Sequence, residues 1–437
     1  MGRVRGTLAA AGAVALCAMA AGAAPGAAYA AADPVPAYRT GPGAQKVEGG
    51  ANSALGPRLE AGRFYTDTVS PGQERFYEVP LDAASSVYVS AVAHPERTAK
   101  VAYADGIEID LIDTDGQSCG STEGADVSSS EQARPLADVA VRALAEDGEC
   151  QQATSYYVKL TRKNAKESDR APWPVELHVQ REPGLKGGNA PQTAPSVWPS
   201  APVTPPSDRR VVREGGTGFN DARALGTGVW GDSVRPGQTR FYRVPVDWGQ
   251  QLSISTELTG GKPTKSSGYA GNALVTEVYS PVRSAVSEVD ESYDGKLAKA
   301  EIGPLPPVAY ENRFSDTRAI KPVRLAGWYY LAVTVNKKVG EFTAEDVPLQ
   351  LTMRVKVDGG AEVGPAYAES LDGTGLGVGE DDRAAAREGL TATEAAEAAD
   401  TRSTMGVVAA AGFGAGTVLL LVLGGWKLMA RRSAGSA

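Results

Sequence analysis

The sequence predicts an all-β chain: two tandem antiparallel β-sandwiches, jelly-roll-like, followed by one C-terminal transmembrane helix. Three observations predict it. DTVSPGQERFYEVPLD at 67–82 returns as DSVRPGQTRFYRVPVD at 232–247, identical at eleven of its sixteen positions. Short alternating apolar runs are separated by turn residues, with no long amphipathic helix between them. An uncharged run from Val407 to Trp426 lies near the C-terminus and is long enough to span about 30 Å of hydrocarbon as a helix.

The N-terminal residues read as a secretory signal peptide over 1–30. Arg3 and Arg5 precede an Ala-rich apolar run, and Ala28-Tyr29-Ala30 offers a small-x-small cleavage site, with Ala32 as the other end point. Cys17 lies inside the apolar run behind Leu16, which does not suit a lipoprotein anchor.

The repeated phrase belongs to a longer duplication. Asn52-Ser53-Ala54 parallels Asn220-Asp221-Ala222, TSYYVKL (154–160) parallels GWYYLAV (327–333), and WPVELHV (173–179) parallels VPLQLTM (347–353). Matches in order at a nearly constant offset define two units, repeat 1 at 45–183 and repeat 2 at 213–357. Alternation places strands at 86–93, 107–113, 156–162 and 176–180 in the first, and at 251–258, 274–279, 329–335 and 349–357 in the second. PLADVAVRALAEDG (135–148) fits either a helix or a loop with a strand. Pro71-Gly72 and Pro236-Gly237 suit type II turns. Cys119 and Cys150 remain once the leader is removed, and an even pair in an exported chain reads as one disulfide.

Between the units, 184–212 is Pro-rich and reads as an extended linker. Residues 358–404 hold eleven acids against three arginines, which reads as an acidic disordered stalk, with 381–402 able to form a fraying helix. The transmembrane helix is placed at 405–426 and a cytoplasmic tail at 427–437. Lys427, Arg431 and Arg432 follow Trp426 directly, so the positive-inside rule puts the tail in the cytoplasm and the ectodomain outside. The expected location is the cell membrane, single-pass, type I. Gly412 and Gly416 form a GxxxG within the span, a packing face for a homodimer through the helix.

Composition excludes some chemistry. A net charge of −8 argues against a nucleic-acid partner. Two histidines cannot build a multi-histidine metal site, and no nucleophile elbow, zincin motif or P-loop is present. No catalytic residue, metal ligand or cofactor is assigned. DLIDTDGQS (110–118) lacks the spacing and the closing Glu of a calcium loop and reads as a hairpin turn at Asp115-Gly116. Glu288, Asp290, Glu291 and Asp294 read as a solvated loop. Strand alternation turns Tyr77 and Tyr242 inward. Glu78 and Arg243 exchange charge between copies, so their face is expected to see solvent or a rim. Phe76 and Phe241 share that face, either under a loop or as a contact site. Trp198, alone in the linker, is a third candidate contact.

Several of these segments resemble the bacterial pre-peptidase C-terminal (PPC) type of β-sandwich. Asn220-Asp221-Ala222, Phe241-Tyr242-Arg243-Val244, Gly249-Gln250-Gln251-Leu252-Ser253-Ile254 and Gly327-Trp328-Tyr329-Tyr330 match that family's short motifs in order. The resemblance covers most of each unit. It implies a non-catalytic module of secreted enzymes and surface proteins that sometimes binds matrix or glycans. Here no peptidase domain accompanies the modules, each unit is longer than usual, and Pro-Gly-Gln-x-Arg replaces the acidic approach to the Tyr strand, so no calcium role carries over. The whole layout also looks like the Ala/Gly-rich surface proteins of high-GC actinobacteria. Three functional readings follow. The first is a non-enzymatic surface protein that binds a protein or glycan partner, or scaffolds, at the cell envelope. The second is an accessory subunit docking through its transmembrane helix. The third is a hydrolase built from converging carboxylates.

Overall fold

A computed structural model describes residues 36–402, apart from 121, 122, 146, 147, 189–192, 196, 266, 345 and 346, together with Leu423, Gly424 and Trp426. The leader, Gly412 and Gly416 lie outside the described residues, as does nearly all of the expected span at 405–426. Among the described residues no helix is long and apolar enough to cross a membrane.

The chain from Pro36 onward forms one compact unit that holds two β-sandwiches. The first contains β1 (Gln45–Lys46), β2 (Phe64–Val69), β3 (Glu74–Leu81), β4 (Ser85–Ala93), β5 (Gly106–Ile112), β6 (Ala125–Asp126), β7 (Leu136–Arg142), β8 (Thr154–Lys163) and β9 (Trp173–Pro183). The second contains β10 (Val211–Val212), β11 (Arg223–Ala224), β12 (Gly228–Val234), β13 (Thr239–Val246), β14 (Gln251–Gly260), β15 (Ala270–Tyr279), β16 (Ala285–Tyr293), β17 (Leu297–Ile302), β18 (Gly327–Val335) and β19 (Leu349–Asp358).

The sheets run β1-β2-β9-β4-β7 against β3-β8-β5-β6, and β10-β12-β19-β14-β17 against β11-β13-β18-β15-β16. The repeat shows in the registers. Tyr77 lies opposite Val158 and Tyr242 opposite Leu331, in otherwise matching antiparallel pairs. The open segment 135–148 supplies β7, an edge strand beside β4. The acids expected in a loop at 288–291 sit on β16 instead. The extra residues of the second unit extend the two-residue β6 position into the β16–β17 hairpin, whose turn falls at Asp294-Gly295 with Gly295 at φ 93°.

Each core forms from the inward half of each alternation. Tyr77, Val79 and Leu81 of β3 pack with Ile107 and Ile109 of β5 and Val158 and Leu160 of β8. Tyr242, Val244 and Val246 do the same with Leu274, Val278 and Leu331. Burying each such aliphatic side chain contributes roughly 1.5–3 kcal/mol. β4 departs from simple alternation because all nine of its residues are buried. Val87, Val89 and Ala91 face the core of the first sandwich, whereas Tyr88 and Val92 pack against residues of the second.

The segment after β19 is not a disordered stalk. Tyr367 pairs with Leu185 in an isolated antiparallel bridge, and Leu376 with Gly327. Leu371 and Leu376 join Tyr88, Val282 and Leu325 in one apolar cluster. Helix α1 (Glu380–Glu388) then buries Ala385 and Ala386 on Ala224 and Trp328, and residues 392–402 are helical again. Small alanines at consecutive positions let the helix lie close on the sheet, which the acid-rich composition concealed.

Candidate functional site

The repeated phrase closes each sandwich. Asp67 and Asp232 are buried carboxylates. They accept the Tyr77 and Tyr242 hydroxyls at 2.7 and 2.6 Å, and the Gly49 and Gly215 amides at 2.8 and 2.9 Å. Arg75 and Arg240 donate to the carbonyls of those glycines. A Cβ on Gly49 or Gly215 would fall within 2.8 Å of the Tyr ring, so only glycine lets the backbone approach. Gly72 and Gly237 take φ 69° and 77° in the turn, and the side chains of Gln73 and Gln238 accept the Ser70 and Arg235 amides across it.

The outward face of the phrase differs between copies. Phe76 is half-buried, whereas Phe241 is 1 % exposed. Phe241 is therefore not a surface contact. It lies in a cluster with Phe219, Tyr279 and Ala332 of its own sandwich and with Val92 and Ala137 of the other. The face of β13-β18-β15 is the seat of the first sandwich. Arg243, expected at a solvent-facing rim, is buried too, with its guanidinium 4.0 Å over the Trp328 ring.

Among the described residues, three buried arginines form ion pairs across this seam. Arg283 Nη1 meets Glu176 Oε1 at 2.6 Å, and Asn220 bonds both partners, donating to Glu176 at 3.0 Å and accepting Arg283 Nη2 at 2.9 Å. Arg313 Nη2 meets Glu182 Oε1 at 2.7 Å, and Glu182 also accepts the Tyr88 and Tyr367 hydroxyls. Arg134 forks onto Glu277 at 3.2 and 3.3 Å and reaches Glu288 at 3.2 Å. Glu176 and Glu182 are almost completely buried. Buried charges are tolerable only when paired and hydrogen-bonded, as these are. Asn336 and the Lys337 amide add bonds to the Ser130 carbonyl and the Gln132 side chain.

The two histidines belong to the same region. His94 stacks on Tyr38 at 4.6 Å and His178 on Phe64 at 4.0 Å. Burial pushes His94 down to about 4 and His178 down to about 3. Glu288 is pushed up to about 7, by burial first and the Glu277 carboxylate second. The Glu277–Glu288 pair, cross-strand neighbours on β15 and β16, is thus held by Arg134 in the seam.

The matching face of the first sandwich, on β3-β8-β5, has a different fate. The 3-10 turn at Ser53–Leu55 packs beside β3, and Phe76, Glu78, Tyr157, Lys159 and Asp110 on this face stay half-exposed. Phe76, Lys159 and Asp110 align across it, where the second sandwich has Phe241, Ala332 and Glu277. Glu78, Tyr157 and Ile112 align next, opposite Arg243, Tyr330 and Tyr279 of the copy. The outer face of β12-β19-β14-β17 is covered in part by the proline segment. Pro202, Val203, Pro205 and Pro206 lie against Ser253, Ser255 and Arg354, and Arg354 donates to the Pro206 carbonyl at 2.9 Å.

Of the other sequence candidates, Cys119 and Cys150 are bridged, with Cα atoms 5.4 Å apart. Trp198 is half-buried, its indole N–H shielded and without a hydrogen-bond partner. In the 110–118 loop, Asp113 accepts the Asp115 and Gln117 amides at 2.9 and 2.8 Å, a local turn. Among the described residues no group of three or more His, Cys, Asp or Glu is placed to hold a metal ion. The seam residues went unread in the sequence. Glu176, His178, Gln180 and Glu182 alternate as a polar strand face would toward water. Only the second apolar set on β4, Tyr88 and Val92, signalled burial of that face.

No family model matches the chain, and no curated protein matches it. Solved structures with some likeness include the CBM22-1–CBM22-2 tandem domain of Paenibacillus barcinonensis Xyn10C. That match has 12 % identity and a TM-score of 0.18, and it covers 67 % of this chain and 85 % of that one. The tandem CBM51 modules of Sp3GH98 from Streptococcus pneumoniae match at 13 % identity and TM-score 0.17, over 66 % and 82 %. The CUB1-EGF-CUB2 domain of human MASP-1/3 matches at 8 % and 0.16, over 67 % and 99 %. At such scores the likeness carries no weight for fold or function.

Proposed function

We propose that this chain is a non-catalytic binding or scaffolding protein of the cell envelope, its two sandwiches held outside the cell by a single C-terminal helix. One observation carries the reading. The sandwiches are locked through three buried Arg–Glu pairs and a C-terminal strap, so the body holds its free face in a fixed orientation. Preorganisation of this kind lowers the cost of binding a partner. The leader at 1–30, the span at 405–426 and the PPC-like character of the modules rest on the sequence motifs and are part of the proposal. The partner is a protein or glycan of the envelope.

The test is a pull-down from envelope fractions, comparing full-length protein with residues 36–402. A partner retained by both supports surface binding. A partner held only by the full chain assigns the docking to the membrane helix, and no partner with either overturns the reading.

A further inference from the structure

We propose that the outer face of β3-β8-β5 docks a protein partner whose β-sheet face has the build already seen in the seam: small aliphatic side chains over Phe76 and a basic side chain over Asp110. This rests on the reading of the chain as a binding scaffold. The duplication supplies the template. The corresponding face of the second sandwich, on β13-β18-β15, is occupied. There Val92 and Ala137 cover Phe241, and Arg134 forks onto Glu277. Phe76 is the counterpart of Phe241, Tyr157 of Tyr330 and Asp110 of Glu277. The first sandwich thus keeps the aromatic pair and the carboxylate of a used docking face.

Its substitutions tell what the partner must offer. Glu78 stands where the copy has Arg243, and Glu108 where it has Val275. With Glu74 and Asp110 these make four carboxylates against Arg58, Lys159 and Lys163, which pair with Glu78, Glu74 and Glu108, and the net acidic balance favours a basic partner. A second copy of this chain is a poor occupant. Its remaining sheet face, on β14 and β19, places Glu257 where the seam uses Val92, and the proline segment lies over part of that face. Glu257, paired with Arg354 at 3.3 Å, would then set a charged pair over Phe76 where the seam has a small aliphatic side chain.

The experiment places a photoreactive benzoylphenylalanine at position 76 of the full-length chain in its own membrane. Position 363, fully exposed, is the background control, and position 241 should link only within the chain. Support is an adduct at 76 to a strand peptide of another protein that carries Arg or Lys. Its yield should fall about tenfold in Asp110→Lys and in Glu78→Arg. The second variant writes what the duplicate already carries at that position, and an unchanged urea midpoint will show that it leaves the fold intact. The proposal is overturned by an adduct no stronger than at 363, by linkage to lipid, glycan or a second copy, or by a yield that ignores both charge changes. If the pull-down partner still binds Glu78→Arg, the face is wrong and the scaffold reading stands. If nothing is pulled down by any version, the scaffold reading itself fails.

Discussion

At the scale of single residues, the repeated phrase is explained position by position. Val69 and Val234 fill the cores, Pro-Gly-Gln makes the turn and bridges it, and the Tyr hydroxyl meets a buried Asp ten positions earlier. Tyr77→Phe and Tyr242→Phe should each cost about 1–2 kcal/mol, because a buried carboxylate loses a donor. Urea midpoints measured on both variants will show whether the two copies weigh the bond equally. The turn and the inward Tyr were legible in one strand's alternation. The Asp partner was not, because its role needs two strands laid side by side. The histidines give a prediction in pH. Their folded values, about 4 for His94 and about 3 for His178, lie below the ordinary 6.5. Between those values the unfolded chain holds more protons. Their contribution is therefore full above about pH 6.5 and is lost as pH falls through about 4 and then 3. Glu288 runs oppositely: raised from 4.5 to about 7, it contributes fully below about 4.5 and loses that contribution as pH rises through about 7. Unfolding midpoints from pH 8 to 3 should show a shallower acid limb in His94→Phe than in the parent.

At the scale of elements, the sandwich strands were legible wherever apolar and polar residues alternate. β16 was not, because VSEVDES carries so many acids that its alternation reads as a loop. It forms anyway because β15 supplies a ladder and Arg134 meets two of the acid side chains on that ladder. A helix at 381–402 was open to the sequence, but the docking of α1 was hidden for a related reason: its acids suggested solvent, while two alanines do the packing. Asp382 accepts the Gly379 amide at 2.7 Å and the Trp328 indole N–H at 2.9 Å. Asp382→Ala should cost about 1–2 kcal/mol as a lost cap and a lost indole partner. Ending the chain after residue 378 should uncover Trp328 and shift its fluorescence to longer wavelength. An unshifted spectrum would show that α1 does not cover the ring in solution.

At the scale of the whole molecule, the seam makes two modules one folding unit. Arg283→Ala leaves Glu176 buried without its cation and should cost about 3–5 kcal/mol. Calorimetry should then split one unfolding transition into two. The double change Arg283→Met with Glu176→Leu should recover only part of that loss, since it removes the lone buried charge but leaves Asn220, the Tyr38 hydroxyl and the Gly41 amide without their acceptor. The two sheets that meet in the seam are not equivalents: β2-β9-β4 of one sandwich meets β13-β18-β15 of the other, and their repeats point away at opposite ends. Such a head-to-tail contact has no internal symmetry to close it and would, if repeated, add units without limit. The chain is in effect a filament stopped at length two, stopped at one end by its own prolines and at the other by Glu78 and Lys159 in place of Arg243 and Ala332. Restoring those two residues and changing Glu257→Val, with the proline segment removed, would be expected to start fibre growth.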